Sequence, residues 1–447
     1  MHLPAPNSRD RRQASVKAAV LIAALAALGL SACGQNPEAS PSASPSPSLE
    51  PTAEPDEHVE SDAAELAAPA PRLTITYEGG LQVIDALSLE LVADLPLDGF
   101  NRVNPAGDER HVFVSTEGGF KLLDTGVFAV AHGDHAHYYA ADPVLEDGLA
   151  VQAAAPGHVV PHDDLTTLFD DATGHVTVLE ADDLGEPVRQ YDSPAAHHGV
   201  AVALPDGTLV ASRGTEAERT GIVVLDGSDA QVAESDQCPG IHGEAVAADE
   251  AVGFGCEGGA IIYADGAITF APAPAPEGRI STMAGNEASP VLLGNYAVTG
   301  SEAPATSVSL VDTATATVRA LDLGTPYAGF AITDDAAGLV LGTDGKLHVL
   351  DLAAGVETAS YQIIDPFELP EDWQAPRPRL AVLEGMVYIT DPSAKAIHVV
   401  DPSDGQIWKS GALSVVPNEI AGVTGEGAGE HDHDHGDEDH DEDHDDD

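Results

Sequence analysis

Basic side chains are scarce in this sequence. Its 447 residues include 18 lysines and arginines against 75 aspartates and glutamates, so the formal net charge is −57. We therefore expect no nucleic-acid partner, because binding to phosphate needs a basic surface. An electrostatic field of this sign favours cations instead.

Several other features are rare or absent. Aromatic residues make up only 4% of the chain, so small apolar residues must supply most of the core. Three methionines and no cysteine cluster argue against a copper(I) carrier. No nucleophile elbow, phosphate-binding glycine loop or dinucleotide fingerprint is present. Long amphipathic helices are also missing, and short strands broken by Gly, Asp and Pro turns predict an all-β fold.

The first 33 residues are typical of an export signal. Basic residues between positions 9 and 17 precede an apolar run, 18–30, that is too short to span a membrane. The run ends in Leu-Ser-Ala-Cys, which resembles the lipobox of bacterial lipoproteins. This resemblance implies lipidation of Cys33 and anchoring on the outer side of the cytoplasmic membrane. An ordinary cleaved signal is the alternative.

Two cysteines remain, Cys238 and Cys256. In an exported protein, an even pair is most simply a disulfide. Thiolate metal ligands are the alternative, which we rank lower because a bare pair outside the cytoplasm tends to oxidise.

Composition divides the rest of the chain into three segments. Residues 34–71 are rich in Pro, Ser, Ala and Glu and predict a disordered linker. Residues 72–424 carry the strand pattern. Residues 425–447 end in an acidic tail without apolar residues after position 429, which we expect to be disordered.

One motif recurs through 72–424: an apolar strand end that closes on an acid. The eight acids are Asp85, Asp124, Glu180, Asp226, Asp265, Asp312, Asp351 and Asp401. Successive copies are 39 to 56 positions apart, and propeller blades repeat at about 40–50 residues. We read each copy as the third strand of a four-stranded blade. The sequence predicts an eight-bladed β-propeller, with seven blades as the alternative, closed by an innermost strand within 417–423.

Histidines recur where innermost strands should begin. Counting back about 23 positions from the acids of three consecutive blades leads to His158, His198 and His242, the second after correcting for a longer hairpin. We expect these side chains to meet beside the central channel. His197 is an alternative to His198. His162 falls on the opposite rim, outside this site.

The longest interval, between Asp124 and Glu180, holds a run with His132, His135 and His137. We place this insert in a connection between blades, where it should overhang the same mouth as the other histidines. Imidazole-rich sites suit zinc and, next, copper(II) or nickel. Glu244, Asp134 or a water would complete the shell. Binding should weaken below about pH 6.5, because the ligand is neutral imidazole. The alternative is that these histidines only pack or form hydrogen bonds within the propeller.

The tail alternates histidine and acid. Its five histidines are His431, His433, His435, His440 and His444. We interpret it as a low-affinity zinc-gathering segment, with a solvated acidic brush as the alternative.

Together these motifs resemble the AztD-type periplasmic zinc metallochaperones. The resemblance rests on His-Gly-Asp-His-Ala-His-Tyr-Tyr at 132–139, Pro-Gly-His-Val-Val-Pro-His at 156–162, and the His-Gly steps at 198 and 242. It implies a secreted β-propeller that binds zinc and hands it to the solute-binding protein of an ABC zinc importer. The lipobox suggests a tethered form.

We therefore expect a monomeric, non-enzymatic zinc chaperone whose membrane contact is the lipid anchor alone. A metal-dependent propeller hydrolase, such as a lactonase, is the second hypothesis. A surface protein-binding module with incidental histidines is the third.

Overall fold

The computed structural model describes residues 63–427 except 134 and 302. Its described part is built almost wholly of strands, with a single 3-10 turn at Ala248–Glu250. The signal segment with Cys33, most of the linker, Asp134 and the tail histidines His431, His433, His435, His440 and His444 lie outside the described residues. Among the described helices, none is long and apolar enough to cross a membrane.

The strands follow one another with short turns. In chain order they are β1 Ala64–Leu66, β2 Arg72–Tyr77, β3 Gly80–Asp85, β4 Leu91–Pro96, β5 Arg102–Pro105, β6 His111–Thr116, β7 Gly119–Asp124, β8 Val127–His132, β9 His135–Ala140, β10 Val144–Leu145, β11 Val151–Gln152, β12 Pro156–His162, β13 Leu165–Asp170, β14 His175–Glu180, β15 Asp183–Asp192, β16 Ala201–Ala203, β17 Leu209–Gly214, β18 Arg219–Leu225, β19 Gln231–Ser235, β20 His242–Ala247, β21 Ala251–Cys256, β22 Gly259–Ala264, β23 Ala267–Pro272, β24 Gly278–Arg279, β25 Met283–Ala284, β26 Val291–Val298, β27 Ser307–Asp312, β28 Thr317–Asp322, β29 Tyr327–Ile332, β30 Ala337–Gly342, β31 Lys346–Asp351, β32 Val356–Gln362, β33 Leu380–Leu383, β34 Met386–Asp391, β35 Ala396–Val400, β36 Ile407–Ala412 and β37 Ile420–Val423.

Eight antiparallel sheets of four or five strands account for most of these strands within the described residues. From the inner to the outer strand they are β37-β2-β3-β4, β5-β6-β7 with β10 and β11, β12 to β15, β16 to β19, β20 to β23, β24 and β25 with β26-β27-β28, β29 to β32, and β33 to β36. The expected all-β propeller is confirmed, and eight sheets of this kind are what an eight-bladed ring requires.

The first sheet joins the two ends of the domain. Strand β37 supplies its innermost strand and pairs antiparallel with β2, with Val423 opposite Arg72. This confirms the expected closure by residues within 417–423. Closure removes the free edge that an open array of sheets would leave.

Burial explains the strand pattern. Apolar side chains from neighbouring sheets interlock, as where Val210 and Val224 of one sheet pack with Phe254 and Ile261 of the next. A fully buried side chain such as Phe254 stabilises the fold by about 1.5–3 kcal/mol. Outer strands such as β4 face solvent and alternate instead. Middle strands such as β21 and β22 are buried on both faces, so their sequences are nearly continuous apolar runs.

Strand direction defines two rims. We call the side where inner strands β12, β16 and β20 begin the triad rim, and the side where they end the far rim. In an antiparallel blade the third strand runs parallel to the inner one, so β7 and β14 also end at the far rim. The acids that close the third strands, such as Asp124 and Glu180, therefore lie at the far rim.

One strand lies outside the expected domain limits. Strand β1 falls within 34–71, the segment predicted to be a disordered linker, and it pairs with β9 in a three-stranded sheet β1-β9-β8. This pairing was not predicted, because three residues are too few to produce a strand pattern.

Candidate metal centre

Three histidines from consecutive sheets meet at the triad rim. His158 lies near the start of β12, His198 just before β16, and His242 at the start of β20. Their ring centroids are 4.8 to 5.5 Å apart. One nitrogen from each ring lies within 4.8 Å of the other two. We call this group the blade triad. The structure thus brings these three side chains together, as expected.

Each ring of the blade triad is held from behind through its Nδ1 atom. Nδ1 of His198 lies 2.5 Å from Oδ2 of Asp171, and Nδ1 of His242 lies 2.6 Å from the carbonyl oxygen of Ser281. Nδ1 of His158 lies 3.2 Å from Oε1 of Glu244. Carboxylates and carbonyls only accept hydrogen bonds, so Nδ1 is the protonated nitrogen in all three rings.

The Nε2 atoms are therefore the free lone-pair donors of the neutral rings. Metal-binding histidines almost always donate their other N–H to a carboxylate or carbonyl, which fixes the tautomer and the ring orientation. The blade triad has this arrangement three times. Glu244, one candidate to complete the shell, contacts Nδ1 of His158 and acts as such an acceptor.

The environment shifts the pKa values of His158 and His242 in opposite directions. Burial disfavours a charged His158, but the charge of Glu244 and its hydrogen bond outweigh burial and raise the pKa of His158. Burial also raises the pKa of Glu244, yet His158 more than reverses this and leaves it lowered. Burial, followed by the charges of His158 and His198, lowers the pKa of His242 to about 4. His242 is thus neutral at physiological pH.

His197 lies apart from this group. Its ring is buried, with Nδ1 2.9 Å from the carbonyl oxygen of Ala195 and Nε2 2.9 Å from Oγ of Ser212. Because both nitrogens are hydrogen-bonded, the structure places His197 as a packing residue beside Phe169 and puts His198 in the blade triad.

The remaining histidines of the run at 132–137 form a second group, the hairpin triad. His132 and His135 face each other at the tip of the β8–β9 hairpin, and His137 follows on β9. Their ring centroids are 5.0 to 5.5 Å apart. Oε1 of Glu65 on β1 lies 2.8 Å from Nδ1 of His137, so a residue of the predicted linker orients this ring.

The expectation that this hairpin overhangs the same mouth is wrong. After the hairpin, β10 returns to pair with β7, so the insert lies within one blade, between its third and outer strands. Such a connection leaves the blade at the far rim. The hairpin base is fixed there, because Arg72 donates to the carbonyl oxygen of Ala141 and Arg110 stacks on Phe128.

Asp171, Ser281 and Glu65 were not among the residues that the sequence indicated. Asp171 had a recognisable context, since it follows β13 at the triad rim, next to the start of the following inner strand. Ser281 acts through its backbone, which no sequence pattern marks. Cys238 and Cys256 form a disulfide that links the segment before β20 to the end of β21.

No family model matches the chain. The zinc chaperone AztD of Citrobacter koseri is 27% identical over 363 residues, which cover 78% of this chain and 84% of the relative.

Solved structures give the same picture. The crystal structure of Citrobacter koseri AztD has a TM-score of 0.69 at 26% identity and covers 79% of this chain and 98% of its own. The structure of apo AztD from Citrobacter koseri has a TM-score of 0.69 at 25% identity, and the match covers 81% of this chain and 99% of that chain. Similarity in sequence and in fold thus confirms the resemblance of this chain to the AztD-type zinc metallochaperones.

Proposed function

We propose that this protein is an exported zinc metallochaperone. It holds zinc at His158, His198 and His242 and passes it to the solute-binding protein of an ABC zinc importer. The observation that carries the proposal is the convergence of one nitrogen from each of three imidazole rings. The Nδ1 atoms of these rings are held by Asp171, Ser281 and Glu244. Three neutral imidazoles of fixed tautomer suit zinc. The name of the similar protein, zinc chaperone AztD, supports the same cargo.

The geometry favours a site that can also release its cargo. Zinc takes four ligands, and the blade triad supplies three. The side chain of His198 is 45% exposed, so the group is open on that side. A ligand from the acceptor protein can enter at the fourth position and displace the histidines one by one. Zinc then moves between proteins without passing through free solution.

The other histidines have supporting roles in this proposal. The hairpin triad binds a second zinc, with Glu65 holding His137 in position. The tail histidines gather zinc weakly near the membrane, where Cys33 anchors the chain through lipid. The linker then gives the propeller the reach to meet its acceptor, and the propeller works as a monomer.

We propose no enzymatic activity. A zinc hydrolase needs a carboxylate base beside the open coordination position. Glu244, the buried carboxylate of this site, instead accepts from Nδ1 of His158, on the side of the ring away from Nε2. The same contact explains why the ligand His158 is well oriented.

Equilibrium dialysis with metal analysis tests the binding half of the proposal. The full chain and its H158A/H198A/H242A variant are compared, with H175A as the matched control, because His175 also pairs with an aspartate but lies outside both triads. We expect the triple variant to lose one tight zinc per chain and H175A to lose none. Equal stoichiometry in all three proteins would contradict the proposal.

A chelator-trap assay tests the transfer half. Zinc-loaded protein is mixed with the apo solute-binding protein in the presence of a chromophoric chelator that captures any free zinc. We expect the acceptor to fill faster than zinc dissociates spontaneously to the chelator. Filling limited by the spontaneous dissociation rate would rule out direct handover.

A further inference from the structure

A third group of possible ligands lies at the far rim, away from the blade triad. His162 ends β12, four residues and about 13 Å of strand beyond His158. Asp163 follows it directly, and Glu287 comes from the loop between β25 and β26. One ligand atom from each of the three lies within 4.8 Å of the other two.

The contacts of His162 resemble those of an oriented ligand. Its side chain is only 5% exposed, and its Nε2 lies 2.7 Å from Oε2 of Glu250. Nε2 is also 3.7 Å from Oδ2 of Asp163, and Nδ1 is 3.8 Å from Oε1 of Glu287. The last two distances are too long for hydrogen bonds. Because Nε2 donates to Glu250, Nδ1 is the ring nitrogen that keeps a lone pair. Its distance from Oε1 of Glu287 fits two ligands of one ion, which at about 2.1 Å from the metal are at most about 4.2 Å apart.

These residues border a cavity of about 560 Å³. Five carboxylate side chains line it: Glu109, Asp163, Glu244, Glu287 and Asp334. No lysine or arginine is among the lining residues of this described cavity. Low-dielectric walls that carry charge of one sign concentrate the opposite ion. The repulsion among the carboxylates is thus relieved by a bound cation.

The cavity also connects two functional regions. Glu244, whose carboxylate accepts from Nδ1 of His158, lines the same cavity as His162 and Glu287. A cation bound by His162 would therefore share this cavity with the carboxylate behind the blade triad.

We propose that His162, Asp163 and Glu287 form a divalent-cation site at the far rim, with Glu250 orienting His162. One imidazole and several carboxylates suit zinc or manganese(II). The site does not depend on the function proposed for the blade triad, because it shares no ligand with it.

Anomalous difference maps from crystals of the full chain test the proposal. Crystals are soaked in zinc chloride or in manganese chloride, and data are collected at the corresponding absorption edge. The variant is D163N/E287Q, which removes charge with little change of shape. Asp163 has a φ of +46°, a conformation that asparagine tolerates well. The control is D192N, which alters an aspartate paired with an exposed histidine outside the cavity.

We expect an anomalous peak between His162, Asp163 and Glu287 in the unmodified chain and in D192N, and its loss in D163N/E287Q. No peak at this position, with either metal, would overturn the proposal. The peak at the blade triad is an internal reference. A peak at the blade triad without one at the far rim would contradict only the far-rim site. A peak at the far rim without one at the blade triad would contradict only the proposed zinc-carrier function.

Discussion

Nε2 of His198 lies 2.8 Å from Nε2 of His242. Both rings already donate through Nδ1, to Asp171 and to the carbonyl oxygen of Ser281. In neutral rings the two facing nitrogens then present lone pairs to each other, which is unfavourable at this distance. A proton or a metal ion between them removes the conflict. Burial lowers the pKa of His242 to about 4, so His242 itself does not carry that proton near neutral pH, when a metal ion bound by both nitrogens can remove the conflict.

Replacing one ligand of the blade triad should sharply reduce zinc affinity. We expect H198A to weaken tight binding by at least about 100-fold, more than the 10–100-fold typical of losing an outer-shell partner. Titration against a competing chelator measures the change. The same titration with H175A should match the unmodified chain, since that ring touches Asp192 and no triad member.

Asp171 should matter without touching the metal. In D171N the side chain can present an NH₂ group to Nδ1 of His198, so the hydrogen bond that fixes the tautomer is weakened. We expect a loss of about 10–100-fold in affinity. The stability of the fold should change little, because His198 is partly exposed. D192N is the control, and an unaltered affinity in D171N would show that ring orientation contributes nothing.

Acidification should act first through His158. Burial opposes its charged form, but Glu244 outweighs burial and raises its pKa, so as pH falls this ring takes a proton on Nε2 before an ordinary imidazole would. His242, with a pKa of about 4, remains neutral. Zinc affinity should therefore decline at a pH above the usual imidazole range. Chelator competition at several pH values measures this decline.

The variant E244Q checks the cause of that pH dependence. Removing the negative charge should lower the pKa of His158, so the decline in affinity should move to lower pH. A decline at the same pH in both proteins would mean that a different group controls release.

The disulfide should support the start of β20. It joins Cys238 to Cys256, which are 18 residues apart, and Cys238 lies four residues before His242. A loop of this size contributes about 3 kcal/mol by restricting the unfolded chain. We expect C238S/C256S to lose about this much free energy of unfolding in denaturant titrations under oxidising conditions. Equal stability with and without a reductant in the unmodified chain would contradict this role.

The sequence predicted the ring and one site because both follow from a repeated local pattern. Acids such as Asp85, Asp312 and Asp351 end third strands since these strands stop at a solvated rim. Equivalent positions in successive blades meet at one channel, so the phase of the repeat was enough to find His158, His198 and His242.

The sequence could not place the insert that holds His132, His135 and His137, and it could not decide between His197 and His198. A repeat length measures how many residues are inserted, not where in the blade they lie. The outer pieces β10 and β11 are two residues each and carry no alternation, so the insert could not be assigned to its own blade. His197 and His198 lie in the loop between β15 and β16, where no strand alternation decides which of the two side chains faces the channel.

The position of the hairpin leads to a further prediction. The hairpin triad and the blade triad share no residue and arise at opposite rims, so each should bind zinc independently. We expect H132A/H135A/H137A to lose one zinc per chain while the affinity of the blade triad stays unchanged. Calorimetric titration of the full-length variants measures both quantities.

E65Q refines that experiment. Glu65 accepts from Nδ1 of His137, so this variant should weaken the hairpin site by about 10–100-fold and leave the blade triad as it was. A matching loss at the blade triad would mean that the two groups share one ion. The hairpin would then have to fold back over the triad rim, as the sequence first suggested.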